Sequence, residues 1–253
     1  LDYTSSPGYP YCLSAKTNGE WLGWDGVELR ADKVEELWHD VKAFLSGDFE
    51  SLYRVFVKGE PHKVSKAAVG RWRLIVCPPL CEQVVWTMVF GPGNDREIDT
   101  VGQTPSMQGM SLPGGEWKDH YRLFKSKRLF NAMDKTAWDW TAHIALIELD
   151  LQLRFRLLQC EHPTREKWFK LARFLYDRAF YHPTLVLSDG KLFRQVFPGI
   201  MKSGCVNTIS SNSHMQVFVH VITCLRRGVS PLPLPVAVGD DTLTAWENSF
   251  SPE

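Results

Sequence analysis

The sequence predicts a mixed α/β (α+β) chain, on three observations. Apolar residues recur at helical spacing over several stretches, short β-branched runs lie between them, and two turn signals, Asp189-Gly190 and Gly239-Asp240-Asp241, each join two such runs as a hairpin does. With 253 residues the chain can bury a substantial core, as one large domain or two subdomains. A composition that is 44% hydrophobic, with ten tryptophans, argues against disorder. Formal net charge is zero, so any surface for nucleic acid must be local. Six cysteines, Cys12, Cys77, Cys81, Cys160, Cys205 and Cys224, form no C-x2-C pair and point to reduced thiols of an intracellular protein, not to a zinc site. No apolar run reaches membrane-spanning length, and the start has no signal-peptide pattern. The chain lacks an initiating Met and stops soon after the Asp-Asp pair, as expected of a piece of something longer.

Taken in order, residues 4–11, rich in Ser, Pro, Gly and Tyr, read first as a rigid structural loop, with hydroxyls and amides that could alternatively contact phosphate. Residues 21–26 read as turns. Asp32 is expected to cap a helix whose apolar positions, Val34, Leu37, Trp38, Val41, Phe44 and Leu45, run up to Gly47. Arg54, Lys58, Lys63, Lys66, Arg71 and Arg73 crowd into twenty residues against a single acid, Glu60, in a segment predicted as a strand at 52–57, a basic loop and a strand at 72–76. A solvated charged loop alternates signs; this one presents several cations, as a triphosphate or an RNA backbone requires. Arg73, at the start of the second strand, is expected to be held in place, with Lys58 and Lys63 mobile. Residues 77–90 predict a buried helix closed by Gly91-Pro92-Gly93, and 102–115 an irregular segment. Lys118, Arg122, Lys125, Lys127 and Arg128 form a second basic patch on a helix, equally readable as a solvated face.

A short strand at 129–133 runs into Asp134, with Asp139 five residues on past a turn. Helices follow at 141–160 and 165–180, then the hairpin at 184–196. Lys202-Ser203-Gly204 opens a small flexible loop leading into a helix that reaches Arg227. Its spacing places Thr208, Ser211 and Asn212 on one face, a set of short hydrogen-bonding groups that suits ribose hydroxyls better than packing. The hairpin at 234–246 then carries Asp240 and Asp241 at its tip. Two adjacent carboxylates with no basic residue within four positions suggest a divalent cation, although an ordinary Asp-rich turn has the same composition. Together with Asp134 they supply what two-metal phosphoryl transfer needs, carboxylates from separate elements converging on ions about 4 Å apart.

Four ordered signatures then carry a resemblance. Lys58-Gly59-Glu60-Pro61 through Gly70-Arg71-Trp72-Arg73-Leu74-Ile75, Asp134 with Asp139, Ser203-Gly204 with Thr208 and Asn212, and Gly239-Asp240-Asp241 resemble viral RNA-dependent RNA polymerases of positive-strand RNA viruses, most of all the sobemovirus and luteovirus-like members of the picornavirus-like supergroup. Residues 4–11 are similar to that group's template-entry loop. The resemblance covers nearly the whole chain.

It implies a right-handed polymerase fold, with fingers at 1–128, palm at 129–160 and 198–253, and connecting helices and a hairpin at 161–197. The palm would be an antiparallel sheet flanked by helices. By position, Asp134 and Asp240 would bind two Mg2+ ions, or Mn2+ in their place, with Asp241 assisting. Asp139, Ser203, Gly204, Thr208 and Asn212 would meet the ribose of the incoming nucleotide, and Lys58, Lys66, Arg71 and Arg73 the triphosphate or template. Implied partners are template and nascent RNA, ribonucleoside triphosphates and other viral replication proteins, in replication complexes of the host cytoplasm. A thumb and the late palm lysine thought to protonate pyrophosphate are expected beyond Glu253, so the fragment is expected to be incomplete as a catalyst. The alternatives are a reverse transcriptase, against which the ribose-sensing Asp139 and Asn212 argue, and a catalytically incomplete RNA-binding fragment in which the Asp pairs are turns.

Overall fold

Two sheets organise the chain, each built from the short β-branched runs. The computed structural model describes residues 1–245; the hairpin's last predicted residue, Trp246, and the segment to Glu253 lie outside the described residues. In order, the elements are α1 (Asn18–Leu22), α2 (Ala31–Ser46), β1 (Leu52–Val57), α3 (Val64–Ala67), β2 (Leu74–Cys77), α4 (Leu80–Asp99), α5 (Trp117–Ser126), β3 (Leu129–Met133), α6 (Trp138–Thr141), α7 (Ile144–Leu157), α8 (His162–Phe180), β4 (Thr184–Val186), β5 (Leu192–Arg194), α9 (Thr208–Arg226), β6 (Val236–Val238) and β7 (Asp241–Ala245). They divide into two compact units. One comprises residues 1–90, 171–198 and 202–206, the other 91–170, 199–201 and 207–253.

The first unit holds a four-stranded sheet in the order β2-β1-β4-β5, antiparallel except where β1 runs parallel to β4. Behind it, Trp86 and Phe90 of α4 meet Tyr176 of α8 with ring centroids 5.5 and 5.7 Å apart, tilted, and Trp86 meets Phe180 edge-on at 6.3 Å. Within this core the Tyr53 hydroxyl donates to the fully buried Glu82, which also accepts from Trp86 Nε1 at 3.2 Å. Burial raises the Glu82 carboxyl above its ordinary range. The 4–11 loop is tied to the same body, since Ser6 accepts from Arg54 and Gln83.

The second unit is built on the three-stranded antiparallel sheet β3-β7-β6. Met107, Leu129, Val236 and Ala245 form its buried core, with Val101, Met110, Phe124 and Leu243 packed against them. The segment expected to be irregular has a structural task here. Ala237 donates to the Pro105 carbonyl at 3.0 Å and accepts from Met107 at 2.8 Å, so this loop covers the outer edge of β6. Helix α9 packs on β6, and α7 on α9.

The strands at 52–57 and 129–133, the hairpin at the 189–190 turn and the long helices stand where the spacing predicted them. Three expectations are corrected. Helix α4 does not close at Gly91-Pro92-Gly93 but runs on to Asp99, because its two halves are both anchored: Trp86 and Phe90 before the break, Asn94 and Glu97 after it. Tertiary packing outweighs the roughly 3 kcal/mol that an interior proline costs a helix. Asp32 is not the cap of α2. Arg30 holds that position with no side-chain cap bond, and Asp32 in the first turn instead pairs with the Arg30 guanidinium at 2.6 Å. The basic loop contains a helical turn, α3, that its Pro and Gly punctuation concealed. All six cysteines are free thiols, and burial pushes Cys77 and Cys81 up to about 12, which makes them inert core residues. Among the described residues no helix is long and apolar enough to cross a membrane.

Candidate functional site

The register of the second sheet gathers the acidic residues. Met133, the last residue of β3, pairs with Thr242 of β7, and Val238 of β6 pairs with Asp241 across the turn. Asp134 therefore leaves β3 beside the Gly239-Asp240-Asp241 turn. Gly239 makes that turn at φ +64°, a conformation that side chains resist. The turn is fixed from behind, where the Gly239 amide donates to the buried Ser213 Oγ of α9 at 2.9 Å.

A cation stands beside this cluster, two residues past the end of β3. Lys135 lies near enough to Asp134 and Asp240 for both carboxylates to hold its proton on, against a larger opposing effect of burial that leaves it below the ordinary lysine range. Its Nζ reaches Thr242 Oγ1 at 3.4 Å. The expectation that no basic residue accompanies the Asp pair holds along the sequence and fails in space. Among the described residues no three His, Cys, Asp or Glu side chains form a group that could hold a metal ion. Mg2+ does not need such a cage, because it binds through one or two carboxylates with waters and substrate phosphates completing its octahedron, and hard carboxylate oxygens are its preferred protein donors. Asp134, Asp240 and Asp241 fit that description.

Asp139 is placed apart from Asp134 by a change of backbone direction. Ala137 takes a left-handed conformation, φ 54°, and starts α6, which carries Asp139 in its first turn. Asn212 of α9 donates to Asp139 Oδ1 at 3.2 Å and accepts from Trp138 Nε1 at 2.9 Å, so its amide is oriented by an indole on one side and directed at a carboxylate on the other. The Asp139 carbonyl accepts from Met201 at 2.8 Å. Gly199 belongs to the same packing, because a Cβ there would stand 2.7 Å from the Ala142 carbonyl. Thr208 lies in the first turn of α9, partly buried.

Ser211 does not join a ribose-facing surface as its spacing suggested. Its hydroxyl donates to the buried Asp150 at 2.7 Å, within an internal network in which Arg154 pairs with Asp150 at 3.0 Å and donates to Asn94 and Ser210, and His214 Nδ1 lies 2.7 Å from Asp150. The polar start of α9 thus divides. Asn212 turns toward Asp139, while Ser210 and Ser211 satisfy buried charge, which accounts for short polar groups without any ligand.

In the first unit, Ser203 and Gly204 are docked along β2. Ser203 Oγ accepts from the Val76 amide at 3.2 Å and donates to the Leu74 carbonyl at 3.3 Å, and the Gly204 amide donates to the Val76 carbonyl at 3.0 Å. The basic loop is at the start of the same strand. Glu60, its single acid, pairs with Lys58 at 2.9 Å and with Arg73 at 2.6 Å; the Lys58 contact leads in holding its carboxyl below the ordinary range. Lys58, expected to be mobile, has its ammonium paired with Glu60 and donates its backbone amide to the Arg73 carbonyl at 2.8 Å. Lys66 and Arg71, exposed on either side of Gly70, are joined through their backbones at 2.9 Å. Sequence reasoning missed Lys135, Ser213 and Lys202. Lys135 follows Asp134 directly and Lys202 precedes Ser203, but nothing local distinguishes Ser213 from its neighbours.

The whole chain, residues 1–253, matches the family model described as viral RNA-dependent RNA polymerase. The chain belongs to that family. It is similar to the replicase polyprotein P2AB of Southern bean mosaic virus, 33% identical over 97% of this chain and 26% of the relative. It is also similar to the RNA-directed RNA polymerase of Mushroom bacilliform virus, 29% identical over 96% of this chain and 61% of that protein, and to protein P1-P2 of Potato leafroll virus, 32% identical over 76% of this chain and 18% of the relative. Among solved structures, the Sicinivirus 3Dpol RNA-dependent RNA polymerase superposes with a TM-score of 0.75 at 21% identity, covering 100% of this chain and 51% of that one. The polymerase fold and the sobemovirus and luteovirus-like kinship both stand, and membership of the viral polymerase family decides against the reverse transcriptase alternative. The chain spans less than two thirds of each of these relatives.

Proposed function

We propose that this chain is the fingers and palm part of an RNA-directed RNA polymerase that copies viral RNA by nucleotidyl transfer. The observation that carries the reading is the β3-β7-β6 register, which sets Asp134 beside the Asp240-Asp241 turn, with Asp139 and Asn212 hydrogen-bonded on the adjoining helices. Asp134 and Asp240, with Asp241 beside them, are the residues to hold two Mg2+ ions, with Mn2+ a substitute. When bound, the ions lower the pKa of the primer 3′-hydroxyl and stabilise the departing pyrophosphate. Lys135 neutralises the carboxylates before the ions and nucleotide arrive and remains able to donate to a phosphate oxygen afterwards. Asp139 and Asn212, already paired, with Asn212 buried and oriented by Trp138, present a fixed donor and acceptor set to a ribose 2′-hydroxyl, with Thr208 of the same unit a further ribose-side residue; Ser203 and Gly204, in the first unit, are nucleotide-binding candidates in their own right. A site built in that way rejects an analogue lacking the hydroxyl, because its polar groups would be left unpaired.

Lys58, Lys66, Arg71 and Arg73 serve the triphosphate or the template backbone, where several cations on one loop gain from release of condensed counterions. On this reading the fingers occupy 1–128 and the palm 129–160 and 198–253, joined by 161–197. Template and product RNA, ribonucleoside triphosphates and other viral replication proteins are the partners, in replication complexes of the host cytoplasm. Asp240→Ala in the polymerase carrying this chain tests the reading by primer extension on an RNA template. Extension should be lost while RNA affinity stays near wild type, since the basic loop is untouched. Wild-type extension by the mutant would overturn the metal-ligand assignment.

A further inference from the structure

Lys202 stands immediately before the Ser203-Gly204 turn and is buried, 1% exposed. Its Nζ donates to Gln195 Oε1 at 2.8 Å and lies 5.4 Å from the Phe180 ring centroid. Gln195 is itself held in one orientation, because its Nε2 donates to the carbonyls of Phe180 at 3.1 Å and Phe197 at 2.7 Å. That leaves only its oxygen to offer the lysine. The turn then closes on Lys202, whose carbonyl accepts from the Cys205 amide at 2.8 Å. Downstream, Gly204 approaches β2 so closely that a Cβ would stand 2.8 Å from the Val76 carbonyl. The turn is thus gripped on two sides, by β2 against Ser203 and Gly204 and by Gln195 against Lys202.

Stability alone does not account for a lysine here. Removing an ammonium from water is expensive, and an apolar side chain of similar volume commonly fills such a place at equal or lower cost. Burial draws this ammonium down to about 7, with Cys205 opposing, which shows how far the site departs from water. A directional donor, unlike an apolar chain, fixes the rotation of the peptide that follows it.

We propose that Lys202, oriented by Gln195, is a positioning residue that fixes the Ser203 hydroxyl and the Gly204 backbone against β2, and so sets how this turn meets the incoming ribonucleotide. The second half of that statement rests on the polymerase reading; the first does not. The test is Lys202→Met, a volume-matched change, in the polymerase carrying this chain. Expected are a melting temperature equal to or above wild type, a KM for ribonucleotide raised by about tenfold or more with a smaller change in kcat, and faster hydrogen exchange at the Val76 and Gly204 amides. Gln195→Leu removes the acceptor of the Lys202 ammonium, together with the two Nε2 bonds that orient it, and should reproduce the exchange and KM changes; the double mutant should be no worse than the more affected single mutant. Should Lys202→Met fail to fold, Gln195→Leu carries the same expectations. Unchanged exchange at Val76 and Gly204 in the folded variants would overturn the positioning role, whatever the enzyme does. Altered exchange with unaltered nucleotide KM would overturn the link to the nucleotide. Failure of the wild-type protein to extend any primer would count against the polymerase reading and leave the exchange result to decide the positioning role.

Discussion

The buried Ser213 hydroxyl of α9 accepts a 2.9 Å hydrogen bond from the amide of Gly239, the residue that turns the chain into Asp240 and Asp241. Ser213 also donates to the Ile209 carbonyl at 2.9 Å, so its oxygen is held within the helix while it holds the turn. The helix carrying Asn212 and the hairpin carrying the Asp pair are therefore locked in register by the residue next to Asn212.

Ser213→Ala should leave the Gly239 amide without this acceptor and cost about 1–2 kcal/mol of stability. Its larger effect should fall on activity, since the carboxylates would lose their fixed presentation while RNA affinity is retained. Primer extension and RNA binding measured side by side check this. A variant that loses stability but extends at the wild-type rate would show that the turn keeps its shape without the bond.

The pairing of Asp139 with Asn212 predicts a shared effect on selectivity. Asp139→Ala and Asn212→Ala should each reduce the preference for ribonucleotides over 2′-deoxynucleotides, and the double mutant should lose little more than either alone, because each orients the other. Competitive incorporation of the two nucleotide types measures it. Additive losses would mean that the two residues meet the ribose independently, and unchanged selectivity would remove both from that role.

Much of the fold was legible because it is periodic. The strand at 52–57 and the Asp189-Gly190 hairpin follow from alternation and turn chemistry, and both stand in the structure. Helix α4 was misjudged where a local rule met tertiary anchoring, since Gly91-Pro92-Gly93 signals a stop that Asn94 and Glu97 override from the far side. The acidic residues of the candidate site were legible as residue types in order. Their environment was not. Lys135 approaches Asp240 from more than a hundred positions away, and Ser211 shares helical spacing with Asn212 yet serves a buried ion pair. Spacing fixes which face a residue occupies, and only the packed neighbour decides what that face is for.

Glu82 gives the first unit a pH dependence whose sign follows from burial. Its carboxyl is raised above the ordinary 4.5, so the folded protein binds this proton more tightly than the unfolded chain does. The stabilisation is complete below about 4.5 and is lost as pH rises through the raised folded value. Glu82→Gln keeps an oxygen for the Tyr53 hydroxyl and Trp86 Nε1 but does not ionise. The stability of wild type relative to this variant should therefore be greatest in acid and decline toward neutrality. Urea denaturation of both proteins between pH 4 and about pH 8 measures the difference, and a constant difference would show that Glu82 does not change its proton uptake on folding.

The basic loop yields the last prediction through its single acid. Glu60 engages both Lys58 and Arg73, so a phosphate group arriving at either cation must compete with a carboxylate already in place. Both pairs are partly solvent-exposed, and pairs open to solvent contribute little to folding. Glu60→Gln should thus leave the melting temperature unchanged while lowering the KM for nucleotide. Arg73→Lys should do the opposite and raise KM although formal charge is conserved, because a guanidinium grips two phosphate oxygens where an ammonium offers one point of contact. Steady-state incorporation across nucleotide concentrations, beside RNA binding across salt concentrations, separates the two targets of the loop. If both variants instead change only RNA affinity and its salt dependence, with nucleotide KM unaltered, the loop serves the template backbone and its assignment to the triphosphate is wrong.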